Sequence, residues 1–220
     1  MEIGYTVENI VMPNGIHLMS ERTPVQEPAV APWAAEVVRK ARAIGLSDES
    51  PEFPQLTFTM VLDVAERVAR AGIAEHAVAR LLRAEPSDLE AVAASLRQID
   101  TLIEESPVPD SEWPRLIDVL GREELAGLLG ISASSAHRYE RGQRDTPDAV
   151  AARLHWLALV VGDLEGAYNQ VGIRRWFHRR RTPLDGRTPA QLLEGDWDPD
   201  DPKPSRVRDL ARSLIVSGAT

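Results

Sequence analysis

The chain has 220 residues, of which 43% are hydrophobic, and this length allows one large or two small domains with a buried core. It has no cysteine, which excludes disulfides, zinc fingers and thiol nucleophiles, and no apolar run approaches the roughly 18 residues of a membrane-spanning helix. The net charge of −9 argues against a protein that simply coats nucleic acid. Because the first residues lack the basic and apolar regions of a secretory signal, we expect a cytoplasmic protein.

The excess of acidic residues lies entirely in the first half of the chain. Residues 1–110 hold 9 basic and 18 acidic side chains, whereas residues 111–220 hold 16 of each. We therefore expect any contact with DNA phosphates to come from the second half.

Residues 1–30 are predicted to form an arm that contains a β-hairpin. Strand-forming residues flank Asn14-Gly15, a pair that favours a two-residue hairpin turn. The three prolines between Thr23 and Pro32 predict a linker after the hairpin. Since a two-stranded hairpin is only marginally stable alone, the arm would have to pack on another element.

Residues 31–110 predict an acidic helical domain. Apolar residues recur at helical spacing in Trp33–Ala43, Leu56–Ala71 and Ala74–Arg83. The sequence leaves the role of this domain open.

Two local signals follow these three helices. Ser87 with Glu90 three residues later predicts a capping box at the start of a fourth helix. The acidic stretch 104–114, which contains three prolines, predicts the link to the next domain.

The stretch Arg122–Arg141 predicts a helix-turn-helix within a domain of residues 111–168. Such a motif needs a small inward residue where its helices touch, which Ala126 supplies, and a turn residue that tolerates positive φ, which Gly130 supplies. Apolar anchors stand at the required spacing on both sides of the turn, at Leu125, Leu129, Ile131, Ala136 and Tyr139. The predicted fold class is therefore mainly α, with a helix-turn-helix between an N-terminal helical domain and a small C-terminal helical domain.

The outward face of the second helix is the candidate DNA-binding surface. Ser132 can cap that helix, Arg138 could bond guanine in the major groove, and Arg144 could bind phosphate. The full predicted set is Ser132, Ser134, Ser135, His137, Arg138, Arg141 and Arg144. Because this face carries few charges, the alternative is a helix-turn-helix that serves only as an assembly module.

A long amphipathic helix is predicted after the helix-turn-helix. Thr146 would be its N-cap and Pro147 its first residue, and the helix would run to about Tyr168. Its N-terminus could bind a DNA phosphate.

The C-terminal third carries an ordered series of small, aromatic and turn residues. The series is Ala167-Tyr168-Asn169, Gly172-Ile173, Trp176-Phe177, Leu184-Asp185-Gly186 and the run Thr188–Leu193. Together with the preceding helix-turn-helix, it resembles the MbcA/ParS/Xre antitoxin family over about residues 112–220, roughly half of the chain. Most of these residues suit structural roles, since aromatic side chains anchor a core and Thr188-Pro189 starts a short helix.

The resemblance implies a type II antitoxin whose partner is a RES-domain toxin, an enzyme that consumes NAD or uses it for ADP-ribosylation. In that family the antitoxin covers the toxin, and its C-terminal tail closes access to the NAD pocket. Residues 169–220 would be the toxin-binding domain, with an amphipathic tail at about Pro204–Thr220, although such a tail could instead dock on its own protein. The predicted toxin-binding residues are Arg174, Arg175, Arg179, Arg206, Arg208, Leu210, Arg212 and Leu214.

Two features depart from the family pattern. Five arginines occupy the eight positions 174–181, where family members have a proline sooner after the tryptophan. A DNA-phosphate patch, a toxin-binding patch and a solvated helix face all explain this run. The other departure is the length of residues 1–110, which could serve dimerisation, toxin contact or effector sensing.

No enzymatic motif is present in the sequence. The five histidines lack metal-ligand spacing, no phosphate-binding glycine loop or nucleophile motif occurs, and the acids around Trp197 are predicted to be solvated. We therefore expect no enzyme activity, no cofactor and no metal.

The expected partners are the toxin, operator DNA and further copies of the chain in a homodimer or larger assembly, with no membrane. The alternative is a stand-alone dimeric transcriptional regulator with an N-terminal sensing domain.

Overall fold

Helices dominate the chain in the computed structural model, which describes residues 10–11, 17–18, 23–48 and 56–217, with side chains for 23–48 and 56–214. This confirms the mainly α class. The helices in these residues are α1 (Ala31–Ala43), α2 (Phe58–Arg70), α3 (Glu75–Arg83), α4 (Leu89–Glu104), α5 (Pro109–Leu120), α6 (Arg122–Leu128), α7 (Ala133–Glu140), α8 (Asp148–Glu165), α9 (Gln170–Phe177), α10 (Pro189–Leu192) and α11 (Pro202–Ser217). Within them, no helix is both long and apolar enough to cross a bilayer.

Two short strands precede the helices. Strands β1 (Ile10–Val11) and β2 (His17–Leu18) pair antiparallel, with Ile10 opposite Leu18 and Val11 opposite His17. The predicted turn at Asn14-Gly15 lies outside the described residues.

Helix α8 is the central element of the fold. Every residue from Arg153 to Leu164 is buried, so the helix is enclosed on all sides rather than along one stripe. It packs against α1, α5, α9 and α11. A side chain at Gly162 would not fit against α1, since a Cβ there would lie 2.6 Å from the Cβ of Ala43. The predicted segments 31–110, 111–168 and 169–220 therefore contribute to one continuous hydrophobic core.

The predicted linker at Thr23–Pro32 is wrong. Pro24 to Gln26 form a 3₁₀ turn in which Pro24 and Val25 are buried, and α1 already begins at Ala31. Pro32 lies in the first turn of α1, where a missing N–H leaves no helical bond unmade. The prolines here mark helix starts and a packed turn.

The predicted link at 104–114 is also wrong, because most of this stretch is helical. Helix α5 begins at Pro109, so only residues 105–108 separate it from α4. Pro114 lies inside α5, and the neighbouring Glu112 and Trp113 are both buried. The core contacts of these two residues outweigh the helix-breaking tendency of Pro114.

Two predicted helix caps are also wrong. Asp88, and not Ser87, caps α4 by accepting a hydrogen bond from the N–H of Ala91. Helix α8 begins after Pro147 and ends at Glu165, without a side-chain cap from Thr146. The Thr146 hydroxyl instead accepts a hydrogen bond from the indole N–H of Trp113 at 3.0 Å.

Candidate functional site

Helices α6 and α7 are the two helices of the predicted helix-turn-helix. Gly130 in the turn has a φ of 69°, as its predicted role requires, and the N–H of Ile131 donates to the carbonyl of Ala126 at 3.0 Å. The turn also lies directly against the 193–196 loop, because a Cβ at Gly130 would overlap the carbonyl oxygen of Gly195. Any side chain here would displace the C-terminal loop.

The predicted anchors form the core of this motif. Ala126 and Ala136 are buried where α6 and α7 meet, while Leu125, Leu129 and Tyr139 surround them; only Ile131 is half-buried. The Tyr139 ring stacks on Trp113 of α5, with ring centroids 6.0 Å apart and planes at 30°. Helix α5 therefore supports α7 through this ring contact.

The outward face of α7 is open to solvent. Ser134, Arg138 and Arg141 are exposed and are spaced four and three residues apart, which places them on one side of the helix. Ser132 caps α7 by accepting from the N–H of Ser135 at 3.1 Å. The Ser132 hydroxyl also lies 3.0 Å from the hydroxyls of Ser134 and Ser135, so these three groups are partly engaged with one another.

The charged residues of this face differ in how they are held. The guanidinium of Arg144 lies over the Tyr139 ring, 5.9 Å from its centroid. His137 is half-buried beside Glu140, whose carboxylate also pairs with Arg122 at 2.7 Å. Among the described residues, neither Arg138 nor Arg141 has a carboxylate partner. These two arginines are therefore available to bind an external anion.

The N-terminus of α8 does not suit the phosphate contact predicted for it. Asp148 is the first residue of the helix and is exposed. Its carboxylate already occupies the positive end of the helix dipole and would repel a phosphate.

The predicted toxin-binding arginines of the C-terminal third fall on two separate elements. Arg174 and Arg175 lie on α9, and Arg179 follows it. Arg174 has a structural role, because its guanidinium donates to the carbonyls of Val119 (2.7 Å) and Asp118 (3.2 Å) at the end of α5. Arg175 and Arg179 are exposed and have no carboxylate partner in the described residues.

The tail helix α11 is docked on its own protein. Val207 and Ala211 are fully buried, and Leu210 and Leu214 are half-buried against the same core. Arg206 pairs with Asp185 at 2.9 Å. The apolar stripe of the tail is thus already covered.

The carboxylate of Glu104 holds the tail to the first half of the chain. Arg208 and Arg212 of α11 reach it at 2.9 and 2.7 Å, and Lys40 of α1 at 2.6 Å. Burial disfavours the charged form of Glu104, but the Lys40 hydrogen bond and the charges of the two arginines outweigh it and lower the pKa to about 2. Asp163 of α8 lies in the same network, 2.6 Å from Arg39.

A second buried pair lies beside this network. Nδ1 of His155 is 2.5 Å from a carboxylate oxygen of Glu112, and Nε2 is 3.1 Å from the backbone carbonyl of Glu104. Since a carbonyl only accepts, Nε2 must be the donor, and one proton lies between Nδ1 and Glu112. Burial raises the pKa of Glu112, although His155 opposes this. Neither this pair nor the Glu104 network was predicted from the sequence. The sequence feature that could have indicated them is a carboxylate inside an apolar helical run, as at Asp163.

The acidic loop around Trp197 is partly tied to α6 and α8. Asp196 pairs with Arg153 at 2.6 Å, and the Trp197 indole donates to the carbonyl of Leu128 at 2.9 Å. The Trp197 ring meets Trp156 of α8 edge-on, 5.0 Å between centroids. No group of metal-ligating side chains is found in the part of the chain that the structure describes.

Comparison of the chain with protein-family models, with curated proteins and with solved structures gives no match. The functional interpretation therefore rests on the residues and geometry above.

Proposed function

We propose that the protein is a non-enzymatic type II antitoxin that binds and neutralises a RES-domain toxin through its C-terminal segment, and that represses its own operon through α6 and α7. The observation that carries the proposal is the open face of α7, with Arg138 and Arg141 exposed and unpaired among the described residues, on a helix-turn-helix joined directly to the C-terminal domain.

DNA binding follows from the chemistry of that face. An arginine on a recognition helix bonds guanine in the major groove, and a neighbouring arginine neutralises phosphate. In a homodimer or a larger assembly, two such helices would meet successive major grooves about one helical turn apart. The acidic first half of the chain would then face away from the duplex.

Toxin binding is supported by the family resemblance of the motif residues and by the charge of the tail. Arginines suit a site that accepts pyrophosphate or carries acidic groups. Because α11 packs on α8 and pairs with Glu104, a tail that enters a toxin must first leave these contacts or use only its outer residues, such as Arg206 and Arg212.

A stand-alone transcriptional regulator is the second candidate, and one observation favours it. The tail is already fully accommodated by its own protein, with Val207 and Ala211 in the core, and needs no partner to cover it. Such a regulator would bind its operator as an antitoxin does, but no toxin would be encoded beside its gene.

The test begins with co-expression of the chain and the RES-domain protein encoded beside it, read out as growth rescue and copurification. Arg206→Glu should impair rescue, since it reverses an exposed charge on the tail without touching the core. Lys203→Glu, an equal charge change on an exposed residue of the same helix, is the control and should rescue fully. If the protein encoded beside the chain is neither toxic nor bound by it, the antitoxin proposal fails and the stand-alone regulator remains.

DNA binding is tested on the same protein with a duplex from upstream of its gene. Arg138→Ala should weaken binding by roughly tenfold, the loss of one base-reading contact, and should relax base preference. Arg83→Ala, an exposed arginine on α3, is the control and should bind as the original protein does. Equal binding and preference for both variants would exclude Arg138 as a base reader.

A further inference from the structure

A cavity lies between α9 and α6. Its volume is about 670 Å³, within the range of small-molecule sites. Arg174, Arg175, Arg179 and Arg181 line it, with Glu124 as the one lining carboxylate. With four guanidinium groups against one carboxylate among its described lining residues, the cavity is cationic.

Two residues that line this cavity carry buried hydrogen-bond donors that nothing in the described chain satisfies. Trp176 lines the cavity and is 1% exposed, and its indole N–H has no acceptor among the described residues. The Nε–H of Arg181 is likewise buried without an acceptor there. Buried donors are nearly always paired in folded proteins. These two border the cavity without opening into it, since each N–H is closed off from solvent.

These donors are held in place by their surroundings. The Arg181 guanidinium lies over the Trp176 ring, 5.5 Å from its centroid. The backbone of Arg181 closes a turn, with its N–H donating to the carbonyl of Arg187 and its carbonyl accepting from Gly186, both at 3.0 Å. A site that is fixed before the ligand arrives loses less conformational entropy on binding.

The chemistry of the donors selects the class of acceptor. Guanidinium groups match the oxygens of phosphate in forked hydrogen bonds, and several of them together favour more than one negative charge. The Tyr168 ring, packed tightly on Gly172, forms part of the wall and offers an aromatic surface beside the arginines.

We propose that this cavity binds a small phosphate-bearing anion of nucleotide size, with its phosphates on Arg175, Arg179 and Arg181. The site shares Arg175 and Arg179 with the predicted toxin-binding set, but the isolated protein is sufficient to test it without a toxin. It would make the C-terminal half responsive to a small metabolite.

The test uses the purified full-length chain with ADP and with inorganic pyrophosphate as probes. Binding is measured by calorimetry and by the ¹H–¹⁵N indole resonances of the five tryptophans. We expect saturable binding that moves the Trp176 indole resonance, assigned by its loss in Trp176→Phe. Arg175→Gln and Arg179→Gln should each weaken binding by about tenfold or more, because each removes a charged hydrogen bond.

Arg180→Gln is the matched control, since Arg180 is exposed in the same run and does not line the cavity. It should bind both probes as the original chain does. The proposal is overturned if neither probe binds, or if Arg180→Gln weakens binding as much as Arg179→Gln. It is also overturned if only a short random-sequence DNA duplex moves the Trp176 resonance, because the cavity would then be a DNA-backbone contact.

Discussion

Glu104 is the residue where three parts of the chain meet. Its side chain binds Lys40 of α1 and both Arg208 and Arg212 of α11, and its backbone carbonyl accepts from His155 of α8. A buried carboxylate is costly unless its partners compensate, and here they do, since the pKa of Glu104 falls to about 2. The charge of this residue therefore stabilises the docked tail.

The first prediction concerns the pH dependence of that stabilisation. The pKa of Glu104 is lowered on folding, so its contribution is fully present above the unfolded value of 4.5 and is lost as the pH falls towards 2. Glu104→Gln should lower the free energy of unfolding at pH 7 by about 1–2 kcal/mol, a figure reduced for the partial exposure of the group. It should also flatten the decline in stability between pH 4.5 and 2, measured by urea denaturation.

A control variant is necessary because other buried acids change the pH dependence of stability in the opposite direction. Burial raises the pKa of Glu112 and of Asp163, so their contributions grow as the pH falls. Glu105→Gln is the control, because Glu105 is exposed and adjacent. If Glu104→Gln and Glu105→Gln give the same pH profile, the ionic contacts of the tail do not stabilise the fold.

At the scale of the element, the turn between α6 and α7 contacts the C-terminal loop around Gly195. Gly130 has positive φ and lies against the carbonyl of Gly195, whereas Gly127, in α6, has open space around its Cα. The two glycines are three residues apart and differ both in backbone conformation and in their surroundings.

The second prediction uses this pair. Gly130→Ala should destabilise the protein by about 2 kcal/mol or more, through left-handed backbone strain together with the displaced loop. Gly127→Ala should be neutral or should stabilise by up to about 1 kcal/mol, since alanine restricts the unfolded chain and favours the helix. Both are measured as shifts in the denaturation midpoint. An equal, small effect at both positions would mean that the turn is not fixed by its contact with Gly195.

The helix-turn-helix could be predicted from the sequence because its constraints are local. The small residue at Ala126, the glycine at 130 and the cap at Ser132 act over a few residues, and all three occupy their predicted positions. Helix α5 could not be predicted in this way. Its prolines at 109 and 114 indicate a loop, and only the burial of Trp113 and Glu112 by distant elements makes the segment helical.

In the candidate site too, the local features could be predicted from the sequence and the long-range contacts could not. That Arg138 and Arg141 would be exposed on α7 followed from helical spacing alone. That Arg174 would hold the end of α5, and that the tail arginines would bind Glu104, depended on contacts more than 50 residues apart in sequence. Nothing in the local pattern distinguishes an arginine that is occupied by its own protein from one that is free for a partner.

At the scale of the whole molecule, α8 makes the first half of the chain part of the same folding unit as the second. Gly162 allows α1 to approach closely, and Asp163 receives a hydrogen bond from Arg39. Without α1, Asp163 would lose its nearest partner and would keep only the more distant Arg208 and Arg212 of α11, at 3.9 and 3.7 Å. The sequence suggests separate domains because its composition changes near residue 110, but composition does not report how closely two helices pack.

The third prediction follows from this shared core. The full-length chain should unfold in one calorimetric transition, with the calorimetric and van't Hoff enthalpies equal, as expected for a two-state unit. A fragment of residues 111–220, which retains the helix-turn-helix and the tail, should melt at a lower temperature or without a cooperative transition, because it exposes the face of α8 that α1 covers. Two resolved transitions in the full-length chain, together with a fragment as stable as the upper one, would instead mean that residues 31–110 fold independently. In that case the first half could carry out a sensing role without altering the packing of α8. In a single cooperative unit, by contrast, any ligand that binds to the folded first half also stabilises α6 and α7.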